Sequence, residues 1–149
     1  MLNTASLIIS FYSRLEDQIA GFYEDLARNE RYSDGRGTFL AFAKENKKHK
    51  EMVQRTYREV ITDAIETGFS FSRLDERDYQ VNTSLIEGPS FSDALKMAID
   101  IEDKSFRFCA NVSESSKALL ADISQAFAWV ANRKAKRKDI LESLFNEKK

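Results

Sequence analysis

The sequence predicts an all-α fold, a four-helix bundle made of two helical hairpins. Three observations lead to this prediction. One proline and five glycines occur in 149 residues, so long stretches contain no helix breaker. Apolar residues recur at steps of three and four instead of alternating, which is the period of an amphipathic helix. Two stretches of the chain also match each other, as two copies of one hairpin would.

The internal match holds at two nearly equal offsets. At an offset of 86 the matching pairs are Leu15 with Ile101 and Glu16 with Glu102. At an offset of 88 they are Phe39 with Phe127, Phe42 with Val130, Ala43 with Ala131, Met52 with Ile140 and Val53 with Leu141. The second register pairs Asn46 with Lys134 and His49 with Arg137.

The first hairpin is predicted to contain helices at about 4–28 and 38–67. The first helix follows an apolar stripe and ends before a loop at 33–37, where serine, aspartate and two glycines favour a turn. The second begins near Thr38 and is expected to stop at Gly68. The stripe of the first helix consists of Ile8, Tyr12, Leu15, Ile19, Phe22 and Leu26.

The second hairpin is predicted to contain helices at about 90–112 and 117–145. Pro89 and Ser90, with Asp93 three residues after the serine, are typical of a capped helix start. The four residues from Ser113 to Ser116 are expected to end this helix. The last helix is expected to run from about Lys117 to Phe145.

The segment at 69–88 is predicted to be a long crossover between the two hairpins. A tight hairpin connection needs only about 2 to 8 residues, so this longer segment suggests a connection that runs the length of the bundle. The alternative is a partly disordered linker between two hairpins. Several apolar residues in the segment could anchor it: Phe69, Phe71, Leu74, Tyr79, Leu85 and Ile86.

Length and charge bound the function. The chain, 1–149, has the size of a single domain. Lys and Arg total 23 against 24 Asp and Glu, which indicates no overall attraction to nucleic acid or acidic membranes. The basic run at 133–138 is distributed around its helix, so a solvated outer face explains it better than a nucleic-acid site.

Cysteine usage and hydropathy favour a cytoplasmic protein. The only cysteine, Cys109, excludes an intramolecular disulfide and is expected to be a buried apolar residue. The apolar run at 7–9 is too short for a signal peptide, and no segment has the roughly 20 apolar residues that a membrane span needs. Trp129 lies off the inward stripe, which suggests a homodimer contact. The sequence identifies no protein partner or small ligand.

Three segments of the chain resemble the rubrerythrin branch of the ferritin-like superfamily. They are Leu15-Glu16 through Phe22-Tyr23-Glu24-Asp25-Leu26-Ala27, the segment 44–51 with sequence KENKKHKE, and the segment 94–102 with sequence ALKMAIDIE. The resemblance covers about 100 residues and implies a ferritin-like bundle, with the fourth helix matching in apolar pattern alone.

The resemblance also implies a di-iron site, but this chain departs from the required ligands. Such a site takes one Glu from each of two helices and a Glu-x-x-His pair from each of the other two. Only three of the six positions here hold a family ligand, because the pairs have become Asn46 with His49 and Lys134 with Arg137. The six positions are Glu16, Asn46, His49, Glu102, Lys134 and Arg137.

These departures predict a buried ion-pair network in place of the metals. Two carboxylates and two cations would neutralise each other, with Arg137 bridging both Glu16 and Glu102 and with Asn46 and His49 adding hydrogen bonds. No metal cofactor is then expected, and the sequence favours a non-catalytic bundle of uncertain biochemical role. The alternative is an iron- or manganese-binding oxidoreductase with a weak mononuclear site of Glu16, His49 and Glu102.

Overall fold

All regular secondary structure in the described part of the chain is helical. The computed structural model describes residues 1–60, 74–117 and 120–148, and no strand occurs in these ranges. Two short 3₁₀ helices, Glu30–Gly35 and Glu76–Tyr79, accompany the longer elements. Four α-helices lie in these ranges: α1 (Ala5–Arg28), α2 (Arg36–Val60), α3 (Phe91–Ser116) and α4 (Ala121–Lys148).

Side-chain caps begin two of the helices where the sequence predicts them. The hydroxyl of Thr4 accepts a hydrogen bond of 3.2 Å from the backbone N–H of Leu7 at the start of α1. The hydroxyl of Ser90 accepts one of 3.1 Å from the N–H of Asp93 at the start of α3. Each cap satisfies a backbone donor that lacks a partner inside the helix. The helices begin at Ala5 and Phe91, within one residue of the predicted starts.

The loop predicted at 33–37 is wrong, because a 3₁₀ helix leads directly into α2 there. The side chain of Asn29 caps this 3₁₀ helix by accepting from the N–H of Arg31 at 2.9 Å. Tyr32 is buried, and its hydroxyl donates to the carbonyl of Pro89 at 2.5 Å. The backbone at Tyr32 is not helical (φ -111°, ψ 23°), so the connection is kinked there, and α2 begins at Arg36, two residues before the predicted start.

α3 ends within the predicted serine-rich segment, at its last residue, and is four residues longer than the predicted range of 90–112. The hydroxyl of Ser116 donates to the carbonyl of Val112 at 2.7 Å, a bond that a serine within a helix can make to the preceding turn. The helix continues to Ser116, and α4 begins at Ala121, four residues later than predicted. The predicted end of the second helix and residues 69–73 of the crossover lie outside the described residues.

The two helices of each hairpin, α1 with α2 and α3 with α4, are antiparallel. In the first pair Lys50 donates to Asp17 at 2.6 Å, and Gln54 donates to Ser13 at 2.9 Å. Later residues of α2 therefore meet earlier residues of α1. In the second pair, Ser113 lies against Ser124 at 3.1 Å, and Lys138 of α4 donates to Asp103 of α3 at 3.2 Å.

Contacts between the pairs set the direction of α2 relative to α3. Arg133 donates to Glu45 at 2.7 Å, and Arg137, one turn later on α4, donates to the carbonyl of Phe42 at 2.8 Å. Hence α4 is antiparallel to α2 as well as to α3. It follows that α2 and α3 run in the same direction.

Residues 74–89 pass along α1 from its beginning to beyond its end. The chain here has no regular structure except for the short 3₁₀ helix at Glu76–Tyr79, and it makes a turn at 86–87 before Gly88, whose φ is +62°. Its position is set by hydrogen bonds of Leu2 with Leu74 (2.8 Å), Gln18 with Val81 (3.3 Å) and Tyr32 with Pro89 (2.5 Å). No helix in the described ranges is both long enough and apolar enough to cross a membrane.

An aromatic cluster fills the core between the helices. Phe108 of α3 lies at its centre and is fully buried. Ring-centroid distances from Phe108 are 5.1 Å to Phe11, 6.4 Å to Tyr12, 5.2 Å to Tyr79 and 6.1 Å to Phe127. One side chain thus joins α1, the segment before α3, and α4.

Candidate functional site

The six positions that the sequence singles out lie together in the interior of the bundle. α1 and α3 each contribute one carboxylate, and α2 and α4 each contribute two side chains three residues apart, which share a helix face. All are buried, with exposed fractions of 1% for Glu16, 0% for Asn46, 3% for His49, 0% for Glu102, 0% for Lys134 and 2% for Arg137.

Lys134 lies between the two buried carboxylates. Its Nζ is 2.5 Å from Oε1 of Glu16 and 3.8 Å from Oε1 of Glu102. An isolated charge in such a place would be strongly unfavourable, so each group depends on the others for compensation. This contact is the main ionic link between α1, α3 and α4.

Arg137 does not bridge both carboxylates as predicted. Its Nη1 donates to Oδ1 of Asn46 at 2.5 Å and lies 3.5 Å from Oε2 of Glu102, while Nη2 donates to the carbonyl of Phe42 at 2.8 Å. The guanidinium also lies over the Phe42 ring, 4.7 Å from its centroid. Lys134 occupies the bridging position instead, so Arg137 is directed towards the backbone and the amide of α2.

Asn46 uses both ends of its carboxamide. It accepts from Arg137 through Oδ1, and its Nδ2 donates to Oε1 of Glu16 at 3.2 Å. The prediction that Asn46 supplies hydrogen bonds to the network is confirmed. Oε1 of Glu16 therefore receives hydrogen bonds from both Asn46 and Lys134.

Two tyrosines complete the site, and the sequence analysis missed both. The hydroxyl of Tyr12 donates to Oε2 of Glu16 at 2.8 Å, and that of Tyr23 donates to Oε2 of Glu102 at 2.5 Å. Burial, and next the adjacent carboxylate, raise the pKa of each tyrosine well above its ordinary value. The spacing of four residues between Tyr12 and Glu16 was a usable signal, whereas the Tyr23 contact joins different helices.

His49 lies at the edge of the network. Its Nδ1 is 3.8 Å from Oε2 of Glu16 and has no hydrogen-bond partner among the described residues. The predicted hydrogen bond from His49 is therefore not made at this nitrogen. Burial, followed by the positive charges of Lys134, Arg137 and Arg133, lowers its pKa from 6.5 to about 3, so the imidazole is neutral in the folded protein near pH 7.

The protonation of His49 leads to a pH-dependent prediction. The free energy of unfolding is expected to fall as the pH falls from 6.5 towards about 3, because the unfolded chain binds a proton there that the folded chain does not. This group contributes up to about 1.4 kcal/mol per pH unit. Urea denaturation at several pH values, followed by the fluorescence of Trp129, measures the slope.

Carboxylates also titrate in this range, so the His49→Gln variant is the control. Its stability is expected to fall less steeply with pH than that of the natural chain. Parallel stability curves for the two proteins would contradict the assigned shift at His49.

The donor set does not fit a di-iron centre. Such a centre requires four carboxylates and two histidines, whereas Glu16, Glu102 and His49 are the family ligands present here. An ammonium lies at hydrogen-bond distance from one of these carboxylates. In the described ranges, no group of three His, Cys, Asp or Glu side chains forms an arrangement that could hold a metal ion.

The remaining sequence predictions concern Cys109, Trp129 and the basic run at 133–138. Cys109 is fully buried, as predicted, and burial raises the pKa of its thiol well above the ordinary value. Trp129 is half exposed and packs edge-on against His49 with centroids 5.3 Å apart, and the homodimer contact stays a prediction. Arg133 and Lys138 are partly buried in ion pairs with Glu45 and Asp103, so they are not simply solvated.

No family model, curated protein or solved structure matches this chain. The ferritin-like resemblance drawn from the sequence therefore stays a prediction. The functional argument must come from the geometry of the site itself.

Proposed function

We propose that this chain is a ferritin-like bundle of the rubrerythrin kind, with residues 69–88 as its crossover. Two observations support the proposal. α2 and α3 run in the same direction, and residues 74–89 follow α1 along its length, as expected for such a crossover. The six positions derived from the resemblance also meet between the four helices.

We propose further that the protein has no functional di-iron centre and acts in the cytoplasm as a structural or interaction module. The position of Lys134 carries this proposal, because its ammonium lies 2.5 Å from Glu16 and 3.8 Å from Glu102. Those carboxylates would have to bind the metals. Here they balance Lys134 and Arg137, and a divalent cation would meet two fixed positive charges.

One observation favours an iron- or manganese-binding oxidoreductase as the second candidate. His49 Nδ1 and Glu16 Oε2 lie 3.8 Å apart, and His49 is neutral, as a metal ligand must be. With Glu102 they would form a three-ligand mononuclear site. Lys134 would have to leave both carboxylates before a metal could enter.

Metal content distinguishes these functions. Protein purified without an affinity tag, then incubated anaerobically with ferrous iron or manganese, is expected to contain almost no bound metal by plasma mass spectrometry. The reason is the positive charge of Lys134 and Arg137 beside the carboxylates. About two metals per chain would contradict the proposal, and about one would favour the mononuclear alternative.

A variant that restores the family ligands provides the positive control. It combines Asn46→Glu, Lys134→Glu and Arg137→His, which replaces the cations and the amide with ligand side chains. This variant is expected to bind iron if it remains folded by circular dichroism. A folded variant that binds no iron would contradict the register assigned to α4, on which the proposal depends.

A further inference from the structure

An amine, a carboxamide and a carboxylate meet at one point of the buried network. Oε1 of Glu16 accepts hydrogen bonds from Nζ of Lys134 at 2.5 Å and from Nδ2 of Asn46 at 3.2 Å. The two nitrogens are therefore no farther apart than the sum of these distances. The nitrogen that would attack and the nitrogen that would leave thus share one proton acceptor, so a proton can pass between them through Glu16.

The carbonyl of Asn46 is also polarised. Nη1 of Arg137 donates to Oδ1 at 2.5 Å, and this is the oxygen that would gain negative charge if a nucleophile attacked Cγ. A fixed donor at such an oxygen stabilises a tetrahedral intermediate, as oxyanion holes do. Arg137 is itself held by the carbonyl of Phe42 at 2.8 Å, so the donor is fixed before reaction.

The surroundings favour condensation over hydrolysis. Lys134, Asn46 and Glu16 have exposed fractions of 0%, 0% and 1%, which keeps bulk water from the reacting atoms. Tyr12 donates to the other oxygen of Glu16 at 2.8 Å and fixes the orientation of the carboxylate. Glu16 can therefore take a proton from Lys134 and pass one to the nitrogen of Asn46.

We propose that Lys134 and Asn46 form an intramolecular amide bond with Glu16 as the proton carrier. Nζ of Lys134 gives a proton to Glu16 and, as a free amine, attacks Cγ of Asn46. Glu16 then passes a proton to Nδ2 and takes the second proton from Nζ, and the bond between Cγ and Nδ2 breaks. One ammonia leaves, a new amide joins the two side chains, and no oxidant or other reactant is needed.

The charges of the site remain balanced after this reaction. Lys134 loses its positive charge, and Glu16 retains one of the two protons that Nζ released. Glu102 and Arg137 then remain as one compensated pair, 3.5 Å apart. The new bond would join α2 to α4 and thereby connect the two hairpins covalently, at positions that correspond in the internal match.

Intact-mass spectrometry of the full chain under denaturing conditions tests the proposal. The chain, purified and incubated in its folded state, is expected to be lighter than its sequence by one ammonia. An unmodified mass after prolonged incubation of folded protein would overturn the proposal. The inference rests on the buried network of the proposed function, but the two readouts differ: unmodified mass without bound metal removes only the cross-link, bound iron in a chain that is lighter by one ammonia removes only the proposed function, and bound iron in a chain of unmodified mass removes both.

Peptide mapping locates the bond, since succinimide formation at another asparagine also releases ammonia. A glutamate-specific protease cuts after Glu45 and Glu51, so it is expected to leave residues 46–51 attached to the peptide that contains Lys134. Fragmentation should place the branch at Asn46 and Lys134. Loss of ammonia in a linear peptide would overturn the assignment.

Matched variants test the role of each group. Glu16→Gln keeps the shape of the carboxylate but cannot carry the proton, and Lys134→Arg removes the attacking amine, so both are expected to retain the full mass. Lys136→Met, an exposed lysine two residues away, should still lose ammonia. A branched peptide in Glu16→Gln at the natural rate would overturn the role of Glu16, and the natural chain decides the bond itself even if a variant fails to fold.

Discussion

Replacement of Arg137 by methionine is expected to lower the free energy of unfolding by about 3–5 kcal/mol. The variant leaves the buried carboxylate of Glu102 without its guanidinium partner and removes the donors to Asn46 and to the carbonyl of Phe42. It also removes the contact of the cation with the Phe42 ring. Urea denaturation followed by the fluorescence of Trp129 measures the loss.

Arg133→Met provides a matched control on the same helix. Arg133 lies one turn before Arg137 and pairs with Glu45 at 2.7 Å, but its side chain is 39% exposed. Its replacement is expected to cost less than about 1 kcal/mol of unfolding free energy, since solvent screens such pairs.

Adding Glu102→Gln to Arg137→Met should recover part of the lost stability, because the uncompensated charge of Glu102 is then gone. Equal losses at Arg133 and Arg137 would contradict the network.

Replacement of Phe108 by alanine is expected to lower the free energy of unfolding by about 3–5 kcal/mol. Phe108 is fully buried and contacts aromatic rings from α1, from the segment before α3 and from α4. Truncation would remove these contacts and leave a cavity that the surrounding helices cannot fill completely. Calorimetry or urea denaturation of the purified variant measures the effect.

Phe106→Ala is the control for this prediction. Phe106 lies two residues before Phe108 on α3 and is only partly buried against the core. Its truncation removes less buried surface and should cost clearly less. If both variants lost the same stability, the central position assigned to Phe108 would be incorrect.

Much of the fold follows from local features of the sequence. The starts of α1 and α3 were predictable because a hydroxyl side chain at the cap satisfies nearby backbone donors. The helix boundaries that were wrong depend on distant or competing contacts. Tyr32, in the connection before α2, bonds to the distant Pro89, and Ser116 bonds back to Val112, so α3 runs to the last residue of the segment expected to end it.

The candidate site was predictable in composition but not in connectivity. The resemblance, together with the internal match, placed six residues inward, and all six are buried. The sequence could not decide which cation meets which carboxylate. Lys134 and Arg137 lie three residues apart on α4, so their positions in the bundle interior differ by only a few ångströms along the helix axis. Lys134, and not Arg137, therefore bridges Glu16 and Glu102, and the bond between Tyr23 and Glu102 was not foreseen.

The sequence by itself determined the helices and the set of charges that has to be neutralised in the interior. Apolar periodicity selects the buried face of each helix, and charges on that face require partners because the interior solvates them poorly. Only the tertiary structure decided the pairing, since it depends on how four helices are offset along their axes. That offset brings Lys134, Asn46 and Glu16 to one point, which no spacing along the chain specifies.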